Sequence, residues 1–202
     1  MLRHLLYPFL VYRSILWPFF VVSSIAVPCW LVFRFYRLRA LRQPLSFRRE
    51  MLLLIFVLYL SGLAAATLTP NHGSIATTGV ELRPNLASLT CSSPSLPTGS
   101  RARFFCMYNA KGNVLLFIPL GFLLPLAWPR LRFWKAIEIA IAVSVSIEVL
   151  QYVSRAWGSY RLADVNDVVL NTLGTTLGLI LVSLLRLGAP SLVRRRQPRR
   201  SR

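Results

Sequence analysis

Acidic residues are scarce in this chain. Six Asp and Glu stand against 24 Lys and Arg in 202 residues, a formal charge of +18. Charged residues of both signs make up only 15% of the sequence, where a soluble domain carries about 25%. Hydrophobic residues make up 55%, and mean hydropathy is +0.55. This balance excludes an ordinary soluble domain and indicates a polytopic membrane protein. Histidine is almost missing: His4 and His72 are the two present, and neither has a second ligand at a useful metal-binding spacing. The chain also lacks a Gly-rich phosphate loop, a G-x-S-x-G nucleophile turn and a Cys–His pair. No cofactor is therefore expected. No internal repeat is convincing enough for an inverted-repeat transporter.

What is present is apolar and long. Residues 14–33, 51–68, 113–128, 136–153 and 165–185 each approach the roughly 17–25 residues of a membrane helix. The third is the shortest and contains Pro119 and Pro125, which membrane helices tolerate where neighbours satisfy the freed carbonyl. The first run is too long for the roughly 7–15-residue core of a signal peptide, and no small-residue cleavage site follows it directly. It reads as a retained helix. The expected fold is an all-α, polytopic membrane helix bundle of about five spans. Residues 1–50 form an N-terminal helix with a basic loop, 51–187 the main membrane domain, and 188–202 a basic tail.

Arginines cluster in 34–49, in 130–135 with Lys135, and in 194–202. With five spans these segments share one side, which the positive-inside rule makes the cytoplasm. The amino terminus and residues 69–112 and 154–164 then lie outside. Basic faces attract anionic lipid, so membrane lipids are expected partners. A basic tail beside a membrane helix is ordinary topology, and no nucleic-acid partner is expected. Cys29 falls in the first span as packing. Cys91 and Cys106 share the long outer loop and form the candidate disulfide, worth roughly 3 kcal/mol for a loop of about 15 residues. Two cysteines also share a loop by chance, so the pairing stays open. That loop is rich in Ser, Thr, Pro and Gly and has no clear period.

The polar residues inside the spans carry the functional signal. Glu148 and Gln151 lie near the outer end of the fourth span, on one face with Ser144. Asp164, Asp167, Asn171, Gly174 and Gly178 recur every three or four residues, so they line one face of the fifth span. Asn113 opens the third span, and Arg161 precedes the fifth. A carboxylate at mid-bilayer costs at least about 2.5–3.5 kcal/mol, so these acids need partners, water or a function. Residue by residue, a structural reading serves. Asp164 caps a helix, Arg161 pairs with an acid, and Gly174-x-x-x-Gly178, with Gly121, forms a helix-packing seam. Taken together, Asn113, Glu148, Gln151, Arg161, Asp164, Asp167 and Asn171 converge on one rim as a candidate polar site. Glu148 with Asp164 or Asp167 could take a hard cation through oxygens, but the pattern is too weak to assign a metal.

Three ordered blocks carry a resemblance. They are Asn113-Val-Leu-Leu-Phe117-Ile-Pro119-Leu-Gly121-Phe122, Ser146-Ile-Glu148-Val-Leu-Gln151, and Arg161-Leu-Ala-Asp164-Val-Asn-Asp167-Val-Val-Leu-Asn171-Thr-Leu-Gly174. With this spacing the chain resembles the VanZ-like membrane protein family over roughly residues 51–185. The resemblance implies a bacterial cytoplasmic membrane. Family members are associated with resistance to teicoplanin, a lipid-tailed glycopeptide acting on cell-wall precursors at the outer membrane face. It supplies a setting and no reaction. The family's Asn-Leu-x-Pro-Phe segment is replaced here by Asn85-Leu86-Ala87-Ser88-Leu89, so the resemblance extends no contact role to it. The expected activity is binding of an envelope lipid, a cell-wall precursor head group or a lipoglycopeptide. The rivals are a membrane enzyme on a lipid-linked substrate, with Glu148 or Asp167 as general base, and a purely structural partner protein.

Overall fold

The computed structural model describes residues 2–42, 45–68, 80–81, 83–93, 97–154 and 163–188; side chains at 2–15, 80, 81, 88 and 188 fall outside the description. The order is α1 (Leu2–Ala40), α2 (Phe47–Leu68), β1 (Val80–Glu81), α3 (Leu86–Leu89), α4 (Arg101–Ala127), α5 (Phe133–Ser154), β2 (Ala163–Asp164) and α6 (Val165–Gly188). Five helices are long and apolar enough to cross a membrane, over Leu16–Ala40, Phe47–Leu68, Arg101–Ala127, Phe133–Ser154 and Val165–Leu187. The fold is an all-α polytopic bundle. A two-residue parallel pairing, Val80 with Ala163 and Glu81 with Asp164, is the strand structure among the described residues.

Two boundaries differ from the hydropathy reading. α1 continues past residue 33, because Arg34 is buried and paired instead of ending the span. Its guanidinium donates twice to Glu50, Nε to Oε2 and Nη2 to Oε1, each at 2.7 Å. This closes the α1–α2 hairpin. Cys29 is exposed on the helix surface, not packed within the protein. The third span starts at Arg101, twelve residues before Asn113. Arg101, Arg103 and Lys111 interrupt the apolar run, so hydropathy misses these turns. Ser100 caps them, its Oγ accepting from the Arg103 N–H at 3.2 Å. Phe104, Phe105 and Tyr108 lie exposed on them, where aromatic side chains suit the membrane interface. The segment 69–112 is therefore not a featureless loop. It holds β1, α3 and three turns of α4.

α4 and α6 run parallel and make the most extensive helix contact. Glycine permits it. A Cβ on Gly121 would fall on the Thr175 carbonyl, one on Gly174 on the Val114 carbonyl, and one on Gly178 on the Ile118 carbonyl. Lipid tails are as apolar as leucine, so close backbone approach, not hydrophobic burial, drives such pairing. Proline adds specific bonds. Pro129 has no N–H to give the Pro125 carbonyl four residues back. Arg186 of α6 donates to that carbonyl instead, at 2.8 Å. Near Pro119, the Tyr59 hydroxyl of α2 donates to the Leu116 carbonyl at 2.8 Å. The core gathers around Leu63, Phe117, Leu120, Leu124, Ala136, Ala140, Ile147 and Leu179.

α1, α4 and α6 point one way, and α2 and α5 the other, as their cross-contacts require. The bundle thus has a loop end and a basic end. The basic end holds Arg34, Arg37, Arg39, Arg48, Arg49, Arg130, Arg132 and Lys135. Cys91 and Cys106 are joined at the loop end, with Cα atoms 5.9 Å apart.

Candidate polar site at the loop end

α5 presents one buried stripe: Ala136, Ala140, Ser144, Ile147, Glu148 and Gln151. Its lower half is alanine and lets neighbours approach. Its upper half is polar, and each polar group reaches a different element. Gln151 Nε2 donates to the Thr67 carbonyl at 2.8 Å. That carbonyl lies in the last turn of α2, where carbonyls lack intrahelical partners. Glu148 Oε2 accepts from the backbone N–H of Asp164 at 2.9 Å. Ser144 Oγ accepts from Asn171 Nδ2 at 2.8 Å, and both residues are buried.

The start of α6 is built the same way. Asp164 Oδ1 accepts from the Asn166 N–H at 2.8 Å, an N-cap that suits a carboxylate at a helix start. Asn166 Oδ1 accepts from the Asn85 N–H at 3.0 Å. Asn85 Oδ1 in turn accepts from the Ala87 N–H and starts α3. The 85–89 segment therefore touches the site, although it departs from the family's Pro-Phe pattern. Its α3 turn ends at Cys91, which has φ of 53°. The Ser92 N–H closes back to the Ala87 carbonyl at 2.9 Å, as in a helix C-terminus that glycine usually serves.

The structure brings Glu148, Gln151, Asp164 and Asn171 together at the loop end, with Asp167 in the first turn of α6. Asn113 lies within about one turn of the depth of Asn171, since Val114 beside it meets Gly174 of α6, on the stripe that continues to Phe117, Leu120 and Leu124. Arg161 lies outside the described residues. Asn85, Asn166 and Thr67 were not among the expected site residues. Asn166 points away from the Asp164–Asp167–Asn171 stripe toward α3, so spacing along that stripe could not find it. Its one signal was a polar side chain in the first turn of a membrane helix.

These bonds divide the site. Gln151, Glu148 and Asp164 are committed to backbone groups at helix and strand ends. The asparagines are not fully committed. Asn113 Nδ2, Asn166 Nδ2 and Asn171 Oδ1 are buried and have no hydrogen-bond partner among the described residues. Two donors and one acceptor are therefore open to a polar ligand or to water. Among the described residues no three His, Cys, Asp or Glu side chains group closely enough to hold a metal ion.

Comparison with known proteins agrees with this architecture. The family model described as VanZ/LLP1 matches residues 20–186. Protein VanZ of Enterococcus faecium is 32% identical over 72 residues, which cover 36% of this chain and 42% of that protein. The chain thus matches less than half the length of that relative. No solved structure matches the chain. The family match takes in all five apolar helices and the whole polar layer; the chain belongs to the VanZ/LLP1 family.

Proposed function

We propose that this protein binds a polar head group at the loop end of the bundle, with that end facing the outside of a bacterial cytoplasmic membrane. The ligand class is an envelope lipid, a lipid-linked cell-wall precursor or a lipoglycopeptide. The observation that carries this reading is the set of three buried amide atoms without partners among the described residues. Each such atom costs about 1–3 kcal/mol if nothing meets it, and they sit in a layer whose other polar groups are bonded. Donors and an acceptor together suit sugar, amide or phosphate oxygens. The arginines of the opposite end favour a cytoplasmic placement for that end. Such a ligand also suits the teicoplanin association that the family resemblance brings, and Arg161, three residues before Asp164 in the sequence, would meet phosphate or carboxylate.

Binding is favoured over catalysis by the state of the acids. Glu148 accepts a backbone N–H and Asp164 caps α6. A carboxylate holding backbone in place is poorly placed to take up a proton in a reaction. The test is lipid mass spectrometry on purified full-chain protein, comparing wild type with Asn113→Leu and Asn171→Leu. Each variant should retain the co-purifying head group about fivefold less, since a hydrogen bond of ~1 kcal/mol is lost. Asn113→Leu should keep its thermal stability, because an unsatisfied amide is replaced by an apolar group of similar size; Asn171→Leu also loses the bond to Ser144 and should cost about 1–3 kcal/mol. Glu148→Gln should bind normally, as its amide oxygen still accepts from Asp164. Unchanged lipid profiles in both leucine variants would sink the binding reading.

A further inference from the structure

The basic end carries a second feature, away from the polar layer. An open groove of about 380 Å³ runs between α2, α4 and α5. Phe56 and Leu60 of α2, Leu124 of α4 with Trp128 just beyond its end, and Ile139 and Val143 of α5 form its walls. The volume falls within the roughly 300–1,000 Å³ of small-molecule pockets, and every lining side chain is apolar. Along α4 the walls extend from Leu120 to Trp128, about 12 Å at 1.5 Å per residue. That is under half of the ~30 Å hydrocarbon thickness, so the groove belongs to one leaflet. Trp128 stands at its mouth, 43% exposed, with its ring edge-on to Phe56 at a centroid distance of 5.3 Å.

Charge marks the same mouth. Leu131 also lines the groove, and it stands between Arg130 and Arg132, both exposed. Arg49 lies seven residues before Phe56 and eleven before Leu60, which places it on their face of α2. Three other cations at this end are engaged. Arg34 pairs with Glu50, Lys135 pairs with Glu138, and Arg186 holds the Pro125 carbonyl. Arg49, Arg130 and Arg132 form no salt bridge among the described residues.

We propose that this groove seats an acyl chain of an anionic phospholipid whose phosphate lies among Arg49, Arg130 and Arg132. Walls without a polar side chain reject a head group and water, and what the membrane offers at that depth is hydrocarbon. The chain must end in a head group at the level of the helix ends, where the three guanidiniums lie. A zwitterionic head group brings its own cation to that cluster; an anionic one does not. This site is separate from the polar layer at the loop end and does not rest on the function proposed for it.

The experiment adds palmitoyl-oleoyl phosphatidylglycerol or the matching phosphatidylcholine to full-chain protein in a nonionic detergent. Native mass spectrometry then reads retained lipid. Wild type should hold phosphatidylglycerol in preference. Arg130→Gln and Arg132→Gln should each weaken that retention about fivefold and leave phosphatidylcholine unchanged. Asn171→Leu should leave the preference intact. A phosphatidylglycerol with a diazirine near its chain end should crosslink to peptides holding Phe56, Trp128 or Val143, a readout that needs no variant to fold. Equal retention of the two lipids by wild type would overturn the proposal. So would a preference that survives R49Q/R130Q/R132Q or is lost in Asn171→Leu, or crosslinks confined to α1 and α6.

Discussion

Replacing Gly178 by alanine tests the α4–α6 crossing directly. The added Cβ would land on the Ile118 carbonyl, 2.9 Å from the Phe122 nitrogen and 3.1 Å from the Gly121 carbonyl carbon. All three neighbours are backbone, which cannot swing aside as a side chain does. Overpacking costs about 1–3 kcal/mol, and rigid backbone puts this site at the top of that range. Alanine gains about 1 kcal/mol over glycine in helix propensity, leaving a net loss of about 2 kcal/mol. Gly112→Ala is the control, because a Cβ there meets nothing within 4 Å; it should be neutral or stabilising by up to about 1 kcal/mol. Gly121 and Gly178 share the crossing, so once one alanine has parted the helices the second should cost less. The double variant should fall short of the summed losses by at least about 0.5 kcal/mol. Unfolding in detergent, followed by circular dichroism against added sodium dodecyl sulfate, measures each loss. If Gly178→Ala behaves like Gly112→Ala, close approach is not what joins these helices.

The Arg34–Glu50 pair sits at the basic end between the surface and buried limits, so Glu50→Leu alone should cost about 1–3 kcal/mol. Arg34→Met with Glu50→Leu should recover most of that in the same unfolding assay, and a double loss equal to the sum of the two single losses would show no coupling. Non-reduced peptide mapping should find Cys91 linked to Cys106, and Cys106→Ala should lower stability by roughly 3 kcal/mol. Because Cys91 has φ of 53°, adding Cys91→Gly to Cys106→Ala should restore about 1 kcal/mol; a further loss would mean that the turn does not strain Cys91. In a variant lacking native cysteines, a membrane-impermeant thiol reagent on intact cells should label Ser95→Cys and spare Arg196→Cys, and the reverse pattern would move the polar layer to the inner face.

The bundle was legible in the sequence because hydropathy is a bulk property and five apolar runs average it well. Boundaries were less so. Arg34 interrupts hydropathy, but Glu50 neutralises it across the hairpin, sixteen residues away. Arg101, Arg103 and Lys111 hid three turns of α4, whose solvation at the membrane interface no window average records. The seam was legible at Gly174 and Gly178, since spacing of four puts both on one face; that their partner is the Val114–Gly121 stretch of a parallel helix was not. For the site, sequence located the acids and read Asp164 as a helix cap, which it is, but missed the work of Glu148. A side chain bonded to a backbone group leaves no complementary side chain to be read. Glu148 with Asp164, Gln151 with Thr67 and Asn85 with Asn166 are all of this kind.

That same preference for backbone partners bears on function. In lipid, burial of apolar surface does not hold helix ends in place, so the loop end is fixed by polar groups. Gln151 ties α5 to α2, Glu148 ties it to β2 and the start of α6, and Asn166 ties α6 to α3. Each tie satisfies a backbone group that would otherwise lack a partner. The acids and Gln151 are thereby the frame. On the proposed reading the asparagines, each with one amide atom unpartnered among the described residues, are the part of the layer that recognises the head group. A frame that is rigid before the ligand arrives lowers the ordering cost of binding. The cost of acids at the rim of a membrane helix is thus offset by the shape they hold, and in the proposed binding the open amides of Asn113, Asn166 and Asn171 give that shape its chemistry.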